Sequence, residues 1–261
     1  MGLTWIITLS SNWKEYINEI LVYLRDTEGY GDFRTNLPNL KKARTRDDYL
    51  DFLVTIKILN LKFSESTKNQ NFFQITDLGL NYILSDDDKY KSQLLHNLLY
   101  KNILHYRFAY DYILSNDLYE FELIELHEKL VVYSSMVYGA RIYDKISFDN
   151  VLNCFLSLEV ITQKEERKKY YVTEEYKITF NEEVFEKMVL DYIKNEKYTY
   201  SKELCDFLIK QQHEFSTKEY CTNDFIISKL EKMDKKGKIE FIAGTPKPGL
   251  IPAKYTLIKV R

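Results

Sequence analysis

The stretch KARTRDDYLDFLVTIKILNLKFSESTKNQNFFQITDLGLNYIL, residues 42–84, decides the fold that this sequence predicts. Its pattern predicts a helix over 45–59, a strand over 60–63, a polar hairpin tip, a second strand over 72–75 and a further helix. Thr76 is expected to cap that last helix, with Asp77 in its first turn, where a carboxylate is favourable. A helix that runs directly into a two-stranded wing is the outline of a winged helix.

The same outline returns later in the chain. The segment DDYLDFLVTIKILNLK at 47–62 has a counterpart in DNVLNCFLSLEVITQK at 149–164, which aligns Leu50 with Leu152 and Lys62 with Lys164. In both copies the hairpin closes on aromatic-rich strands, FFQIT and KYYVT. Internal similarity of this kind is the mark of a repeated structural unit, so the sequence predicts tandem modules.

A third unit is predicted from Asn181, which caps an amphipathic helix and is followed by a short β segment in YTY and a Ser-capped helix. A further helix starts at Thr222 or Asn223, and Gly237 follows it as a left-handed C-cap before a closing hairpin. The predicted fold is α+β, mainly helical, with three tandem winged-helix modules. They occupy 1–88 with an N-terminal strand, 89–180 with longer helices, and 181–261.

The remaining elements follow from apolar spacing. A strand or extended arm is expected over 3–9, a helix over 13–25 and a short helix over 34–41. The charged stretch SDDDKYKS, residues 85–92, is expected to be a hinge. Beyond it we expect helical structure over 93–114, a helix over 118–138, the repeated helix over 147–158 and a wing over 160–173.

The overall charge limits how the chain could bind nucleic acid. Its net charge is −2, whereas proteins that bind nucleic acid through bulk electrostatics carry a clear positive excess. Basic residues would have to gather locally. The three cysteines, Cys154, Cys205 and Cys221, lack CxxC spacing and suit buried thiols in a reducing compartment. With no signal peptide or membrane-spanning run, a cytoplasmic location and no membrane partner are expected.

Catalytic motifs are weak. Asp/Glu-x-Lys triplets of the kind a metal-dependent nuclease uses begin at Asp87, Glu166, Glu175 and Asp234. Each falls in a hinge, a wing or a helix end rather than on an apolar strand with an acid upstream. No P-loop, GxSxG, HExxH or paired zinc spacing occurs. His96 and His105 are expected to pack on or beside apolar helix faces, and His127 is expected to be a helix-surface or core histidine.

The chain is therefore expected to be non-catalytic by itself, with no metal site and no cofactor. Magnesium would enter only with a nuclease domain or partner subunit, in which case the larger protein would be a Mg-dependent DNA endonuclease. A nuclease site assembled from scattered acids remains the enzymatic alternative.

Basic and amide side chains gather where a winged helix meets DNA. Its third helix places N-terminal residues near base edges in the major groove, while the wing touches backbone or minor groove. An arginine at the helix start can bridge a guanine edge or clamp a phosphate. The candidate DNA-binding residues are Lys41, Lys42, Arg44, Arg46, Lys68, Asn69 and Gln70, then Lys164, Arg167, Lys168 and Lys169, and finally Lys218, Asn223 and Lys247.

Two neighbours of Asn223, namely Thr222 and Lys229, are expected on the exposed face of the same helix. Wing-strand aromatics, Phe72, Phe73, Tyr170 and Tyr171, could stack on bases, although one of each pair is expected to face the core. The alternative for every cluster is a solvated surface.

The first 110 residues resemble the recognition region of type IIS restriction and nicking endonucleases. The resemblance is carried by LTWIITLS, by ARTRD at the start of the third helix, by FFQITDLGLNYIL and by DDDKYKSQLLHNLLY. It implies tandem winged helices that read an asymmetric DNA site. Enzymes of that family also carry a separate nuclease domain, and no segment of this sequence corresponds to one.

The sequence thus predicts sequence-specific binding of double-stranded DNA, as the target-recognition part of a restriction endonuclease system. A transcriptional or plasmid-replication regulator would differ by binding a palindromic or repeated site as a dimer. A winged-helix protein-interaction scaffold is the alternative that the near-zero net charge favours.

Overall fold

The computed structural model describes residues 9–27, 40, 43–63, 71–138, 143–163, 169–194, 196–217, 221–244 and 255–261. Within them the chain is a mainly helical α+β protein with ten α-helices and three small antiparallel sheets. The predicted strand over 3–9, apart from its last residue, and the predicted helix over 34–41, apart from Leu40, lie outside these residues, as do the wing tips at 64–70 and 164–168.

The helices are α1 (Trp13–Asp26), α2 (Ala43–Thr55), α3 (Asp77–Leu84), α4 (Asp88–Asn102), α5 (Leu104–Ser115), α6 (Leu123–Tyr138), α7 (Lys145–Ser157), α8 (Glu182–Ile193), α9 (Ser201–Lys210) and α10 (Asn223–Lys235). The strands are β1 (Leu59–Phe63), β2 (Asn71–Ile75), β3 (Glu120–Glu122), β4 (Ile161–Gln163), β5 (Lys169–Val172), β6 (Thr199–Tyr200), β7 (Ile239–Ile242) and β8 (Leu257–Val260).

The chain divides into two compact units. The first comprises 1–109 and 142–162, and the second comprises 110–141 and 163–261. The boundaries therefore fall within α5 and within β4, inside the segment predicted as the second module. The partition at residues 88 and 180 stays a prediction.

Helix α1 forms as its apolar spacing predicts. The five residues expected to face a core, Trp13, Ile17, Ile20, Leu21 and Leu24, are all buried. The cap prediction was wrong, because the side chain of Asn12 makes no capping hydrogen bond. The helix instead begins with backbone bonds, among them the one from the Trp13 amide to the Ser10 carbonyl.

Helix α2 ends four residues earlier than predicted, at Thr55 rather than at residue 59. Lys57 adopts a left-handed conformation with φ of 68°, and the Ile58 amide bonds to the Leu53 carbonyl at 3.0 Å. This is the Schellman arrangement that terminates helices, and glycine is its usual residue. The chain then enters β1, which pairs antiparallel with β2 from Leu59–Ile75 to Phe63–Asn71.

The start of α3 explains the motif ITDLG. Thr76 caps the helix as predicted, accepting a hydrogen bond from the Gly79 amide at 3.2 Å. Its hydroxyl also lies 2.9 Å from the Ile58 carbonyl at the start of the wing. A Cβ at Gly79 would lie 2.6 Å from that same Ile58 oxygen, so glycine is required for the close approach of helix and wing.

The predicted hinge at 85–92 is wrong, because its acids build the start of α4. Asp87 accepts hydrogen bonds from the Lys89 and Tyr90 amides at 2.9 and 3.1 Å. A carboxylate in this position satisfies amides that have no intrahelical partner. Helical structure continues through the predicted region, with a break at Ile103 between α4 and α5.

Strand β3 was not predicted, since a helix was expected from residue 118. Asp117 is left-handed with φ of 54°, which ends α5, and three residues then pair with β5 from Glu120–Tyr171 to Glu122–Lys169. A strand this short is stabilised by its distant partner rather than by its own sequence.

One order of elements occurs twice: helix, strand, helix, helix, strand, strand. It runs from α5 to β5 and again from α8 to β8. The two corresponding sheets have the orders β3–β5–β4 and β6–β8–β7, so the first strand pairs with the third in both. This arrangement is consistent with tandem winged helices.

The end of the third helix recurs at three places. Glu159 after α7 and Gly237 after α10 are left-handed like Lys57, with φ of 57° and 72°. The amide that follows bonds back to Phe155 at 2.8 Å and to Met233 at 3.0 Å. The predicted C-cap at Gly237 is confirmed, and the repeat seen in two sequence segments extends to a third in backbone geometry.

Asn181 is the N-cap of α8 as predicted, accepting a hydrogen bond from the amide three residues ahead. Helix α10 starts at Asn223, one of the two predicted starts, and Thr222 caps it by accepting from the Phe225 amide. Ser201, predicted as a cap, is instead the first helical residue of α9, following Tyr200. The three cysteines are buried free thiols, in agreement with the prediction.

Candidate nucleic-acid interface

The structure describes four of the predicted DNA-binding residues, namely Arg44, Arg46, Lys169 and Asn223, the first two by backbone only. The others fall outside the described residues. They are Lys41, Lys42, Lys68, Asn69, Gln70, Lys164, Arg167, Lys168, Lys218 and Lys247.

The first part of the candidate interface is the N-terminal end of α2. Arg44 and Arg46 lie in its first turn, and the helix is fixed by a buried face of Tyr49, Phe52 and Leu53. The Tyr49 hydroxyl lies 3.2 Å from both the amide and the hydroxyl oxygen of Ser10. The helix that carries the two arginines is therefore held on a packed core.

Acidic residues follow the arginines on α2. Asp47 and Asp51 are exposed, and the pKa of the Asp51 carboxyl is raised by partial burial and by the negative charges of Asp47 and Asp48. Carboxylates repel phosphate but accept a hydrogen bond from the amino group of cytosine. Along the sequence, the start of α2 thus has basic residues first and carboxylates directly after them.

Lys169, at the start of β5, is already paired. Its Nζ forms an ion pair and hydrogen bond with Oε1 of Glu120 on β3. The antiparallel register brings the two strands together here, with Glu122 opposite Lys169. The pair is largely exposed, so a phosphate could compete for the lysine.

Two residues expected on the exposed face of α10 are buried, contrary to prediction. Thr222 is 8% exposed and Lys229 is 3% exposed, so neither lies on a solvated face. The Thr222 hydroxyl donates to Oδ2 of Asp111 at 2.6 Å, within the second unit. Asn223 is half-buried, and its Oδ1 is enclosed and accepts no hydrogen bond among the described residues.

Lys229 occupies an aromatic and partly anionic environment. Its Nζ lies 4.5 Å from the ring centre of Phe180, 3.4 Å from the Ser115 carbonyl oxygen and 3.9 Å from Oδ1 of Asp117. Burial, with the positive charge of Lys232, lowers the pKa of the ammonium to about 8, although Asp117 opposes this. The lysine is a buried structural contact rather than a free phosphate ligand.

Other basic residues of this region also meet carboxylates. Lys232 bonds Asp117 at 2.8 Å, and Lys236 bonds Glu182 at 2.9 Å. Glu186 forms ion pairs with both Lys236 and Lys238. The hydrogen bond from Lys238 holds the pKa of the Glu186 carboxyl below its usual range. Lys232 of α10 and the two lysines that follow the helix are thus compensated by carboxylates within the second unit.

The aromatic residues of the wing strands were predicted to place one member of each neighbouring pair in the core. Phe73 is buried, and the side chain of its neighbour Phe72 is outside the description. Tyr170 and Tyr171 are both half-buried, so the expectation that one of them faces the core was wrong. Tyr170 stacks on Phe121 of β3 with ring centres 6.3 Å apart.

No cluster of ligands for a metal occurs in the described segments. Two of the described acids of the Asp/Glu-x-Lys triplets have local roles, since Asp87 caps α4 and Asp234 lies 3.2 Å from Arg261. His96 and His105 are buried as predicted, and Nδ1 of His96 lies 2.7 Å from the Tyr106 hydroxyl. No helix in the described ranges is long and apolar enough to cross a bilayer.

Sequence reasoning missed Asp111, which anchors the start of α10. A signal exists, because Asp111 is a carboxylate inside the apolar run FAYDYIL, on a helix that is otherwise buried there. A charged group in such a place is buried only with a partner.

Comparison with known proteins places the chain in no family. No family model matches it, and no curated protein matches it. Among solved structures it is similar to a magnesium ion-bound SspB, with TM-score 0.45 and 10% identity over 98% of this chain and 84% of that one. It is also similar to the restriction endonuclease FokI, with TM-score 0.33 and 10% identity over 84% of this chain and 46% of the FokI chain.

Proposed function

We propose that the chain consists of three tandem winged-helix modules and binds double-stranded DNA sequence-specifically through the first of them. The observation that carries the proposal is the geometry around α2. A sequence with four basic residues, LKKARTR, leads into a helix held on a packed core, and the helix passes through a left-handed turn directly into a two-stranded wing.

In this proposal Arg44 and Arg46 contact base edges or flanking phosphates from the start of α2. Lys41 and Lys42 precede them, and the wing tip with Lys68, Asn69 and Gln70 contacts the DNA backbone. Lys164, Arg167, Lys168 and Lys169 in the second wing, with Lys218 and Lys247 in the third module, would add phosphate contacts. Phosphate contacts fix position and affinity, whereas base contacts carry specificity.

The narrower assignment is the target-recognition part of a restriction system. It rests on the sequence motifs ARTRD, FFQITDLGLNYIL and DDDKYKSQLLHNLLY. The chain itself would be non-catalytic, and cleavage would require a nuclease domain or subunit with Mg²⁺ as partner.

The test is selection of bound molecules from random-sequence duplex DNA at two salt concentrations, without and with Mg²⁺. Enrichment of one asymmetric site, with affinity that falls steeply as salt rises, is the expected result. Enrichment of a palindrome would point to a dimeric regulator of transcription or plasmid replication. Cleavage with Mg²⁺ would contradict the non-catalytic assignment.

A protein-interaction scaffold is the second candidate. It is favoured by the net charge of −2 together with the ion pairs that occupy Lys232, Lys236 and Lys238. Absence of binding to any duplex at low salt would reject DNA recognition in favour of this candidate.

A further inference from the structure

The three helices that precede the three left-handed turns occupy equivalent positions but have different surroundings. Aligning Lys57, Glu159 and Gly237 places Arg44 opposite Ile146 on α7 and Asp224 on α10. The same alignment places Arg46 opposite Phe148 and Ile226, which are 7% and 0% exposed. At the two positions where α2 carries arginines, neither α7 nor α10 carries a basic residue.

Helix α7 uses its polar side chains within the first unit. The Leu9 amide donates to Oδ1 of Asn150 at 2.9 Å, and the Leu9 carbonyl accepts from Nδ2 of Asn153 at 3.1 Å. At the end of the helix, Nζ of Lys14 donates to the Ser157 carbonyl at 2.8 Å. These three bonds attach α7 to the segment that leads into α1.

The exposed start of α7 is unsuited to a phosphate backbone. Its N-cap Asp144 is held ionised, because the hydrogen bond from the Ser147 amide lowers the pKa of the carboxyl. The exposed residues that follow are Lys145, Ile146 and Asp149, so two carboxylates accompany one lysine. Negative charge at a helix N-terminus stabilises the helix and repels phosphate.

Helix α10 is attached within the second unit in a similar way. Its N-cap Thr222 donates to Asp111 of α5 at 2.6 Å, and both residues are buried. Further along, Lys229 and Lys232 meet the end of α5 at Ser115 and Asp117. Its first residues, Asn223 and Asp224, are half-buried, and Phe225, Ile226 and Ile227 are at most 5% exposed, so this end offers a half-buried acid where α2 carries Arg44.

We propose that α7 and α10 are docking helices, meaning that their polar side chains bind other elements of their own unit instead of DNA. Base-specific reading of DNA then belongs to α2 alone. This inference rests on the proposed function, and it names which of the three equivalent helices recognises DNA. A chain with one reading helix would specify a short site within one stretch of major groove. The other modules would contribute phosphate contacts through their wings.

The claim that α2 alone reads bases is tested with the full chain and the site selected from random duplex DNA. Arg44→Ala with Arg46→Ala should weaken binding to that site by about 5-fold or more and erase base preference, since one bidentate contact accounts for about 1–3 kcal/mol. The matched control is Ile146→Ala, at the position equivalent to Arg44 on α7, with Lys145→Ala beside it. Both controls should retain the selected sequence and bind within about twofold of the unaltered chain. A changed base preference in either control, or in Asn223→Ala on α10, would overturn the inference.

The claim that α10 is docked within the second unit is tested by thermal unfolding, without DNA. Thr222→Val and Asp111→Asn should each lower the Tm, and the double variant should lower it by less than the sum, because the two side chains share one hydrogen bond. Additive shifts, or no shift, would overturn docking of α10. If the unaltered chain binds no duplex, the proposed function and the claim that α2 alone reads bases both fail. Thermal unfolding of the single and double variants still decides separately whether α10 is docked through Thr222 and Asp111.

Discussion

At the scale of single residues, backbone conformation explains where the helices stop. Lys57, Glu159 and Gly237 all have positive φ at the same place in the repeated unit, but glycine fills only one of them. A left-handed conformation costs a non-glycine residue about 1–2 kcal/mol, whereas glycine adopts it readily. Two of the three turns therefore contain avoidable strain.

Replacing Lys57 or Glu159 by glycine should stabilise the protein by about 0.5–1 kcal/mol, after the entropy that glycine loses on folding is subtracted. Gly237→Ala should destabilise it by about 1 kcal/mol. Apart from its neighbours in the chain, no described atom lies within 4 Å of a Cβ placed at Gly237, so that change tests the backbone alone. Urea unfolding measures all three, and a destabilising Lys57→Gly would contradict the explanation.

The buried ammonium of Lys229 links stability to pH. Its pKa is about 8 in the folded protein and 10.5 ordinarily, so between these values the unfolded chain retains a proton that the folded chain has released. Stability should therefore rise with pH across this window. Below pH 8 the folded protein contains a charge in an unfavourable place.

Lys229→Met should raise stability at pH 7 by about 1–3 kcal/mol and remove the rise between pH 8 and 10.5. Lys232 remains to neutralise Asp117 in this variant. Lys235→Met, which changes an exposed lysine of the same helix, is the control and should leave both stability and its pH dependence unchanged. Thermal unfolding over pH 6 to 11 provides the measurement, and an unchanged slope in Lys229→Met would contradict the assignment.

At the scale of elements, the connection between wing and α3 depends on one threonine. The Thr76 side chain caps the helix and also bonds the Lys57 and Ile58 carbonyls at 2.8 and 2.9 Å. It therefore joins the left-handed turn, the wing and α3.

Thr76→Ala should lower the free energy of unfolding by about 1–2 kcal/mol, because it removes an N-cap together with bonds to the wing. The control is Thr55→Ala, where an exposed hydroxyl donates to the Asp51 carbonyl of its own helix, and it should change stability by less than about 0.5 kcal/mol. Urea unfolding of both variants measures the difference. Equal effects would show that the cap has no special role.

Much of the secondary structure could be predicted from the sequence, because caps and buried faces depend on neighbours in the chain. Asn181, Thr222 and the apolar face of α1 are examples. Strand β3 could not, since its three residues pair with β5 more than forty positions away. The end of α2 was missed because a left-handed lysine has no sequence signature comparable to glycine.

At the scale of the whole molecule, charge sets how the proposed DNA binding should respond to salt. A net charge of −2 leaves only local clusters to contact phosphates, and the first module supplies four basic residues before and within the start of α2. About four phosphate contacts from this cluster contribute about −3 to −4, so with the proposed wing contacts the log–log slope of affinity against salt is about −4 or steeper.

Binding to the selected site, titrated between low and moderate salt, should give that slope. Lys42→Ala, which removes one proposed phosphate contact, should reduce its magnitude by about 1 while base preference persists. The exposed Lys101 of α4 supplies the control, because Lys101→Ala changes net charge equally and Lys101 is not among the proposed DNA-binding residues. An equal change of slope in both variants would indicate that only overall charge matters.

The sequence by itself determined the mainly helical α+β class, most helix faces, the repeated unit and the basic segment before α2. These are local properties, encoded within a few residues of where they act. Only the tertiary structure decided the surroundings of α7 and α10. Burial of Thr222 and Lys229 depends on Asp111 and Asp117, which are more than one hundred residues away in the chain. Amphipathic spacing tells which face of a helix is apolar, but the partner that covers its polar end is chosen by the fold.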